Sequence, residues 1–451
     1  MCLAIALLAG AVCAQPSKKD VKKANQLIEQ GQKSFNQKNY RDAIDQYAQA
    51  IVLVPANARA HFWKGYSHFN VQEYDLAITE LTAALNDGFK PVADVYKIRG
   101  YTYYVKKNYN LAYADIKQGL QLEPDNLNML RWYGEISFAR GAYAEALGAF
   151  QKALLQAPND AELYYNIAQT QFRLGNTDAQ ATAAQEAIKR NTRNLAEANY
   201  LLGDAYQRQK KYPEAVAAFE KTLSSRPNLY EAYIRLADSY RAESDYLQAI
   251  EACKRGLRVF PNNGNIYTNI SWYYSMAGKN DEAVQAAQAA VQLLPDQSLP
   301  YTNLCRAYND TKQIALAINA CNSALKLSPT DGETFLYLGR AYDASDKKAE
   351  AARYFDKAVT GLEQFTQANP DYSDGFYILG NAYYYDNQEE KAIDAYNKGL
   401  QLSPRFTRAR YNLGVIYAFK KNKAAAMEQY NSLLLIDKDL AALLKAQIDK
   451  L

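Results

Sequence analysis

Histidine is nearly absent from this chain of 451 residues: there are two, His61 and His68. That scarcity removes the usual general base of hydrolases, and neither a Ser-His-Asp nor a Cys-His constellation can be assembled. The two histidines can share a helix face, but no third ligand of matched spacing follows, so a metal site is not completed. Phosphate loops of the GxxxxGK[ST] type are missing. So is a GxGxxG turn after a strand, and nothing in the sequence reads as a strand to carry one. Charge of one sign is scarce too: 52 Lys and Arg face 48 Asp and Glu, a net of +4, and basic runs do not exceed fragments such as Lys18-Lys19. A field that weak predicts neither nucleic-acid nor anionic-membrane binding. The one clear apolar run, Leu3 to Val12, is too short to span a bilayer. Carboxylates are abundant, but they fall on solvated helix faces beside Lys or Arg. The expectation is a chain with no catalytic site, no cofactor, no metal and no integral membrane span.

What the chain does have is repetition. Ala196 to Pro227 reads as two short amphipathic helices and a stop. Asn199, Leu202, Gly203 and Tyr206 fall at spacings of three and four on one helix face, and Ala215, Phe219 and Thr222 do the same on a second. Gln209 to Tyr212 is a short polar connection, and Pro227 ends the unit. Counting Ala196 as position 1, the marks are apolar residues at 4 and 7, Gly or Ala at 8, Tyr at 11 and 17, Ala at 20, an aromatic at 24 and Pro at 32. The same frame starts again at Ala24, Ala58, Ala93, Leu127, Ala161, Tyr230, Gly264, Ser298, Gly332, Ser373 and Thr407, twelve copies in all, at a step of about 34 residues.

This pattern closely resembles the tetratricopeptide repeat. The resemblance covers Ala24 to about Lys438 and implies an all-α, right-handed solenoid of antiparallel helix pairs, in which each pair touches mainly its neighbours. The expected organisation is a signal peptide over 1–14, a loose leader over 15–23, twelve repeats over 24–438 and a capping helix over 439–451. Many of the 38 tyrosines sit at positions 11 and 17 and are core. Both histidines occupy packing positions 4 and 11. The fifth copy is the most degenerate, with Thr177, Gln180, Ala184 and Thr192 in place of Tyr, Ala, aromatic and Pro, which predicts a softer joint in mid-array. The step from Gly332 to Ser373 carries about seven extra residues, with no Gly or Pro cluster among them. These predict a lengthened second helix projecting from the convex or edge side, with a flexible loop as the alternative.

The apolar run at the N-terminus has the length of a secretory signal, and Val12-Cys13-Ala14 would leave Gln15 as the new first residue. The expected location is periplasmic or secreted. The usual positive n-region is missing, and acylation of Cys13 is the weaker reading because bulky Val12 precedes it. Of five cysteines, Cys2 and Cys13 leave with the signal and Cys253 reads as core. Cys305 and Cys321 stand at positions 8 and 24, which face each other across the helix pair. They form either a disulfide, closing a loop of about sixteen residues worth roughly 3 kcal/mol, or two small buried thiols.

Function must then live on a surface. In arrays of this family the concave face is lined by the first helix of each pair, near positions 2, 5, 6, 9, 12 and 13. Read off this sequence, the early repeats offer an aromatic groove of Phe62, Trp63, Tyr66, Phe69, Tyr101, Tyr104, Arg131, Trp132, Phe138, Tyr165 and Phe172. The middle is charged, with Glu162, Glu197, Asp204, Glu231 and Asp238 interleaved with Arg173, Arg208 and Arg241. The last repeats return to aromatics at Tyr377, Tyr384, Tyr385, Tyr411 and Phe419. Aromatics and Arg anchor interfaces. A carboxylate clamp is not completed: Tyr101 follows Lys97, and Tyr377 stands where Lys is needed. An asparagine ladder for extended peptide is broken, with Asn166, Asn269, Asn303 and Asn412 in place. The expected function is a non-enzymatic scaffold that binds a protein or extended peptide in its concave face, an envelope assembly factor. The alternative is a carbohydrate- or cell-wall-binding protein using the same aromatics.

Overall fold

A computed structural model describes residues 15–450, which form 25 α-helices with no strand among them. The signal expected over 1–14 lies outside the described residues. The chain divides into two compact units, Met1–Asn194 and Leu195–Leu451. The boundary falls at the end of the degenerate fifth copy.

The first unit holds α1 (Lys18–Asn36), α2 (Tyr40–Leu53), α3 (Ala58–Asn70), α4 (Tyr74–Asn86), α5 (Val92–Val105), α6 (Tyr109–Leu122), α7 (Leu127–Ala139), α8 (Tyr143–Gln156), α9 (Ala161–Leu174) and α10 (Thr177–Lys189). The second holds α11 (Leu195–Arg208), α12 (Tyr212–Ser225), α13 (Tyr230–Ala242), α14 (Tyr246–Val259), α15 (Gly264–Met276), α16 (Asn280–Leu293), α17 (Ser298–Asp310), α18 (Ile314–Leu327), α19 (Gly332–Ala344), α20 (Lys348–Ala368), α21 (Ser373–Tyr385), α22 (Glu389–Leu402), α23 (Thr407–Phe419), α24 (Lys423–Leu434) and α25 (Lys438–Ile448). Within each unit every odd-numbered helix packs against the even-numbered one after it, and that one against the next. Odd-numbered helices also touch each other, α3 with α5 and α5 with α7 in the first unit, α15 with α17 and α17 with α19 in the second. They form the inner row of each stack of helix pairs, so each unit is an α-solenoid.

A repeated socket holds the pairs together. A Cβ on Gly134 would lie 2.4 Å from the ring of Phe150, one on Gly203 2.7 Å from Phe219, and one on Gly380 2.6 Å from Tyr396. The ring of position 24 fills the space that glycine leaves at position 8, and Phe150, Phe219 and Tyr396 are almost wholly buried. Cys305 and Cys321 occupy the same two places and are joined, S–S 2.04 Å with Cα atoms 5.2 Å apart. Cys253 is buried and free.

Helix ends follow local chemistry. Before α3, α7 and α15, Asn57, Asn126 and Asn263 each accept a hydrogen bond from a backbone N–H in the first turn, at 3.0–3.1 Å. Helices α2, α8 and α14 stop just ahead of Pro55, Pro158 and Pro261. After α10 no proline is present. There Glu162 substitutes, accepting from the Thr192 hydroxyl at 3.0 Å, the Arg193 N–H at 2.9 Å and the Asn194 amide at 2.6 Å.

Two expectations are corrected. The segment 18–23 is not a loose leader: it forms the first turns of α1, with Ser17 as N-cap accepting from Asp20 N–H at 3.2 Å. The extra residues after Gly332 do lengthen α20, to 21 residues, but they do not project. Leu362 and Thr366 are buried, because Gly332 and Gly361 let α19 and α20 approach backbone to backbone. A Cβ on Gly332 would lie 2.7 Å from Leu362 N. Helix α25 covers the open side of the last pair with Leu440, Ala441, Leu444 and Ile448, its Leu444 sitting where Gly414 has no side chain.

Candidate functional site

In the first unit, the inner row carries a continuous strip of rings. Spacings of three along α3 bring Trp63, Tyr66 and Phe69 to neighbouring places on the helix. Phe35 of α1 meets Trp63 at 5.1 Å and Tyr66 at 5.0 Å, Phe69 meets Tyr101 of α5 at 5.7 Å, and Tyr101 stacks on Trp132 of α7 at 4.3 Å. Tyr104 continues along α5, 6.0 Å from Tyr101. All of these rings are half-buried, packed on one another in edge-on, tilted and stacked pairs. Polar groups flank the strip. Burial holds the Glu135 carboxyl above its ordinary range, against the hydrogen bond with Tyr104 and the charge of Arg131. Burial, then the Glu135 charge, pushes the Tyr104 phenol up. Such a surface offers ring faces for packing and a few carboxyl and hydroxyl groups for orientation.

Not every residue named from the sequence joins the strip. Phe62 is only 4% exposed and stacks on Phe89 at 4.1 Å, so it belongs to the core. Tyr165 is 8% exposed, its hydroxyl bonded to the Gln169 amide at 2.5 Å. Arg131 is spent on an ion pair with Asp160. Phe138 packs edge-on against Tyr143 at 5.4 Å, and Phe172 is half-buried on α9. The histidines are structural. His61 Nδ1 lies 2.6 Å from Glu80 and Nε2 2.9 Å from the Pro55 carbonyl, while His68 Nδ1 lies 2.7 Å from Glu73. The hydrogen bond with Glu80 raises the His61 pKa. No group of three metal-ligating side chains occurs among the described residues.

In the second unit the inner row closes on itself. Arg241 of α13 pairs with Asp374 of α21, Arg405 reaches Glu243 at 3.3 Å, and Arg408 of α23 donates through Nε to the Met276 carbonyl at 3.0 Å. Tyr377 packs against the core of α12 to α15. Two cavities open among these helices. One, of about 710 Å³, is lined by Trp272, Tyr273, Leu299, Leu362, Phe365 and Ile378, with Asp238, Asp331, Glu333 and Asp374 facing a single Arg241. Part of its wall comes from the added turns of α20. The other, of about 460 Å³, is basic: Arg306, Lys312, Arg340 and Arg408 line it with one carboxylate, Asp310, and with Tyr337, Tyr377 and Tyr385. At the partition Arg306 Nη1 stands 3.8 Å from Glu333 Oε1, and the Tyr337 hydroxyl donates to that oxygen at 3.1 Å. Burial pushes the Glu333 carboxyl up to about 7 and raises Asp374 despite its arginine.

The second aromatic patch is therefore divided. Tyr377 and Tyr385 line the basic cavity, and Tyr385 stacks on Phe355 at 5.2 Å. Tyr384 and Tyr411 line neither cavity; Tyr411 packs on the core of the last helices. Phe419 is 66% exposed. Sequence reasoning passed over Arg306 and Arg340. Their signal was register: both stand at position 9, where Tyr66 and Tyr101 stand in the aromatic strip.

Family profiles described as "TPR repeat" match residues 134–175 and 380–421, and profiles described as "Tetratricopeptide repeat" match 28–94, 165–230, 234–298 and 407–440, together more than half of the chain. The chain is 26% identical over 132 residues to human Tetratricopeptide repeat protein 13, which is 29% of this chain and 15% of that protein. It is 28% identical over 109 residues to Hsc70-interacting protein 1 of Drosophila melanogaster, 24% of this chain and 29% of that one. The chain thus spans well under half the length of these relatives. Among solved structures, the crystal structure of MamA matches at a TM-score of 0.34 and 23% identity, over 37% of this chain and 97% of that one. The APC/C hetero-tetramer Cut9-Hcn1 matches at 0.38 and 15% identity, over 96% and 98%. At such scores the fold rests on the helices themselves. No helix among the described residues is long and apolar enough to cross a membrane.

Proposed function

The chain is a tetratricopeptide-repeat protein, and from that premise we propose that it is a non-enzymatic scaffold that binds a protein or extended peptide on its inner helix row. In this reading its helix pairs are twelve copies of the repeat, and the chain is an exported, envelope-located assembly factor of bacterial type. The observation that carries the binding reading is the aromatic strip of α3, α5 and α7. Trp63, Tyr66, Phe69, Tyr101, Tyr104 and Trp132 stay only half-buried although each is large and apolar enough to be core. Rigid rings of this kind bury much area at little loss of rotamer freedom, which suits an anchor. Location rests on the apolar run of residues 3–12 alone.

The test is a pull-down with mature protein from an envelope extract, beside the double variant Tyr66→Ala, Tyr101→Ala. A specific protein retained by the parent and reduced about tenfold or more by the variant is the expected result. Retention of purified glycan with no protein partner would overturn the reading in favour of carbohydrate binding.

A further inference from the structure

The second unit carries a site of different chemistry. The cavity of about 460 Å³ is within the size range of small-molecule pockets. Its lining holds four basic side chains against the single carboxylate of Asp310, and Asp310 is already engaged by Arg340 Nη2 at 2.9 Å. The deepest of the four is Arg306, 2% exposed. Its Nη2 donates to Asn303 Oδ1 at 3.1 Å, but Nε and Nη1 have no hydrogen-bond partner among the described residues. Glu333 does not complete it: at 3.8 Å from Nη1 it is beyond hydrogen-bond reach. Trp272 and Tyr337 hold the guanidinium between their rings, 5.7 and 5.8 Å from the two centroids. A buried guanidinium with unmade bonds is unfavourable by itself, and its planar donors match the two oxygens of a carboxylate or phosphate.

We propose that this cavity binds an oxyanion, with Arg306 as the buried anchor and Arg340 and Arg408 as flanking charges. The oxyanion is a carboxylate or phosphate, carried either on a free small acid or on an acidic side chain of a bound polypeptide. The site goes beyond the scaffold reading: it lies in the other unit and uses guanidinium groups instead of rings.

Isothermal titration of the full chain with three probes tests it: inorganic phosphate, succinate and a glutamate-rich heptapeptide. Saturable binding of at least one probe is expected, at one equivalent. That binding weakens about 10- to 100-fold in Arg306→Gln, the loss of one or two charge-assisted hydrogen bonds, and stays unchanged in Lys221→Gln on the exposed surface of the same unit. Phosphate or succinate binding more tightly than the peptide identifies a free acid, and the reverse order identifies an acidic side chain. If circular dichroism shows Arg306→Gln unfolded, the half-exposed Arg340→Gln decides alone, with the same expected weakening. The proposal is overturned if all three probes fail to saturate, or if binding survives the arginine change undiminished. The variant Tyr66→Ala, Tyr101→Ala is expected to keep anion binding, so failure here and failure of the scaffold reading are separate results.

Discussion

The two units build their inner rows from the same register, and at the two candidate sites they fill one position of it with different chemistry. At position 9 the first unit places Tyr66 and Tyr101, half-buried in a strip of rings that lean on one another. The second places Arg306 and Arg340, the former sealed inside. Tyrosine at such a place is satisfied by neighbouring rings and still keeps a face for a partner. Arginine is not satisfied by packing, so it needs either carboxylates from elsewhere in the chain or a ligand. The second unit supplies the first remedy in full at Arg241, through Asp374 from a distant helix, and only in part at Arg306, where Glu333 stands 3.8 Å away and makes no hydrogen bond. A helix-pair stack thus presents an open surface or a recessed cavity according to a few inner-row side chains.

The largest expected effect that would break this contrast is at the closing ion pair. Asp374→Ala removes the buried carboxylate of that pair, leaving Arg241 only the part-exposed Asp238 at 3.4 Å, and is expected to destabilise the second unit by about 3–5 kcal/mol. Hydrogen exchange should accelerate in α13 and α21 and stay unchanged in α3 and α5; equal acceleration in both would mean that closure is not what holds the cavity. Next comes reduction. Breaking Cys305–Cys321 is expected to remove about 3 kcal/mol, read as earlier urea unfolding of α17 and α18 with dithiothreitol; an unchanged midpoint would show that packing alone holds that pair. In the first unit, Gly134→Leu drives a side chain into the ring of Phe150 and is expected to remove about 1–3 kcal/mol, with a normal melting curve as the contrary result.

The smallest effect is a difference in pH window. The Glu333 pKa is raised to about 7, so the folded second unit holds this proton more tightly than the unfolded chain does. Stability from that site is complete below the ordinary glutamate range and is lost as pH rises toward 7. His61 is also raised, and its contribution is complete below about 6.5 and lost above it, through its folded value. Glu333→Gln should therefore flatten the pH dependence of melting between about 4.5 and 7, and His61→Gln the part above about 6.5. Interchanged windows would refute both assignments.

Much of this architecture was legible in the sequence because its determinants are local. A period of three and four residues sets each helix face, an asparagine cap or a proline sets its ends, and the Gly203–Phe219 socket lies within one pair. The aromatic strip was legible for the same reason, although Phe62 was misplaced: spacing puts it beside Trp63, and only the stacking on Phe89 sends it inward. Long-range features were not legible. Arg241 and Asp374 are separated by 133 positions, and no periodicity relates them. The direction of α20 was misread because it depends on Gly332 meeting Gly361, two residues without side chains whose significance appears only when the helices touch. At 18–23, polar composition hid a helix whose start is set by Ser17.

The socket between positions 8 and 24 has a consequence for how such a chain can vary. Glycine opposite a ring, as in Gly203 with Phe219, and cysteine opposite cysteine, as in Cys305 with Cys321, are two solutions for one shared volume. Ala168 opposite Ala184, both fully buried, is a third. Changing either partner alone leaves a clash or a void, whereas exchanging both preserves the fill. The unit of inheritance at this place is the couple, so descendants of this chain are expected to differ there by matched double replacements, pair by pair along the array.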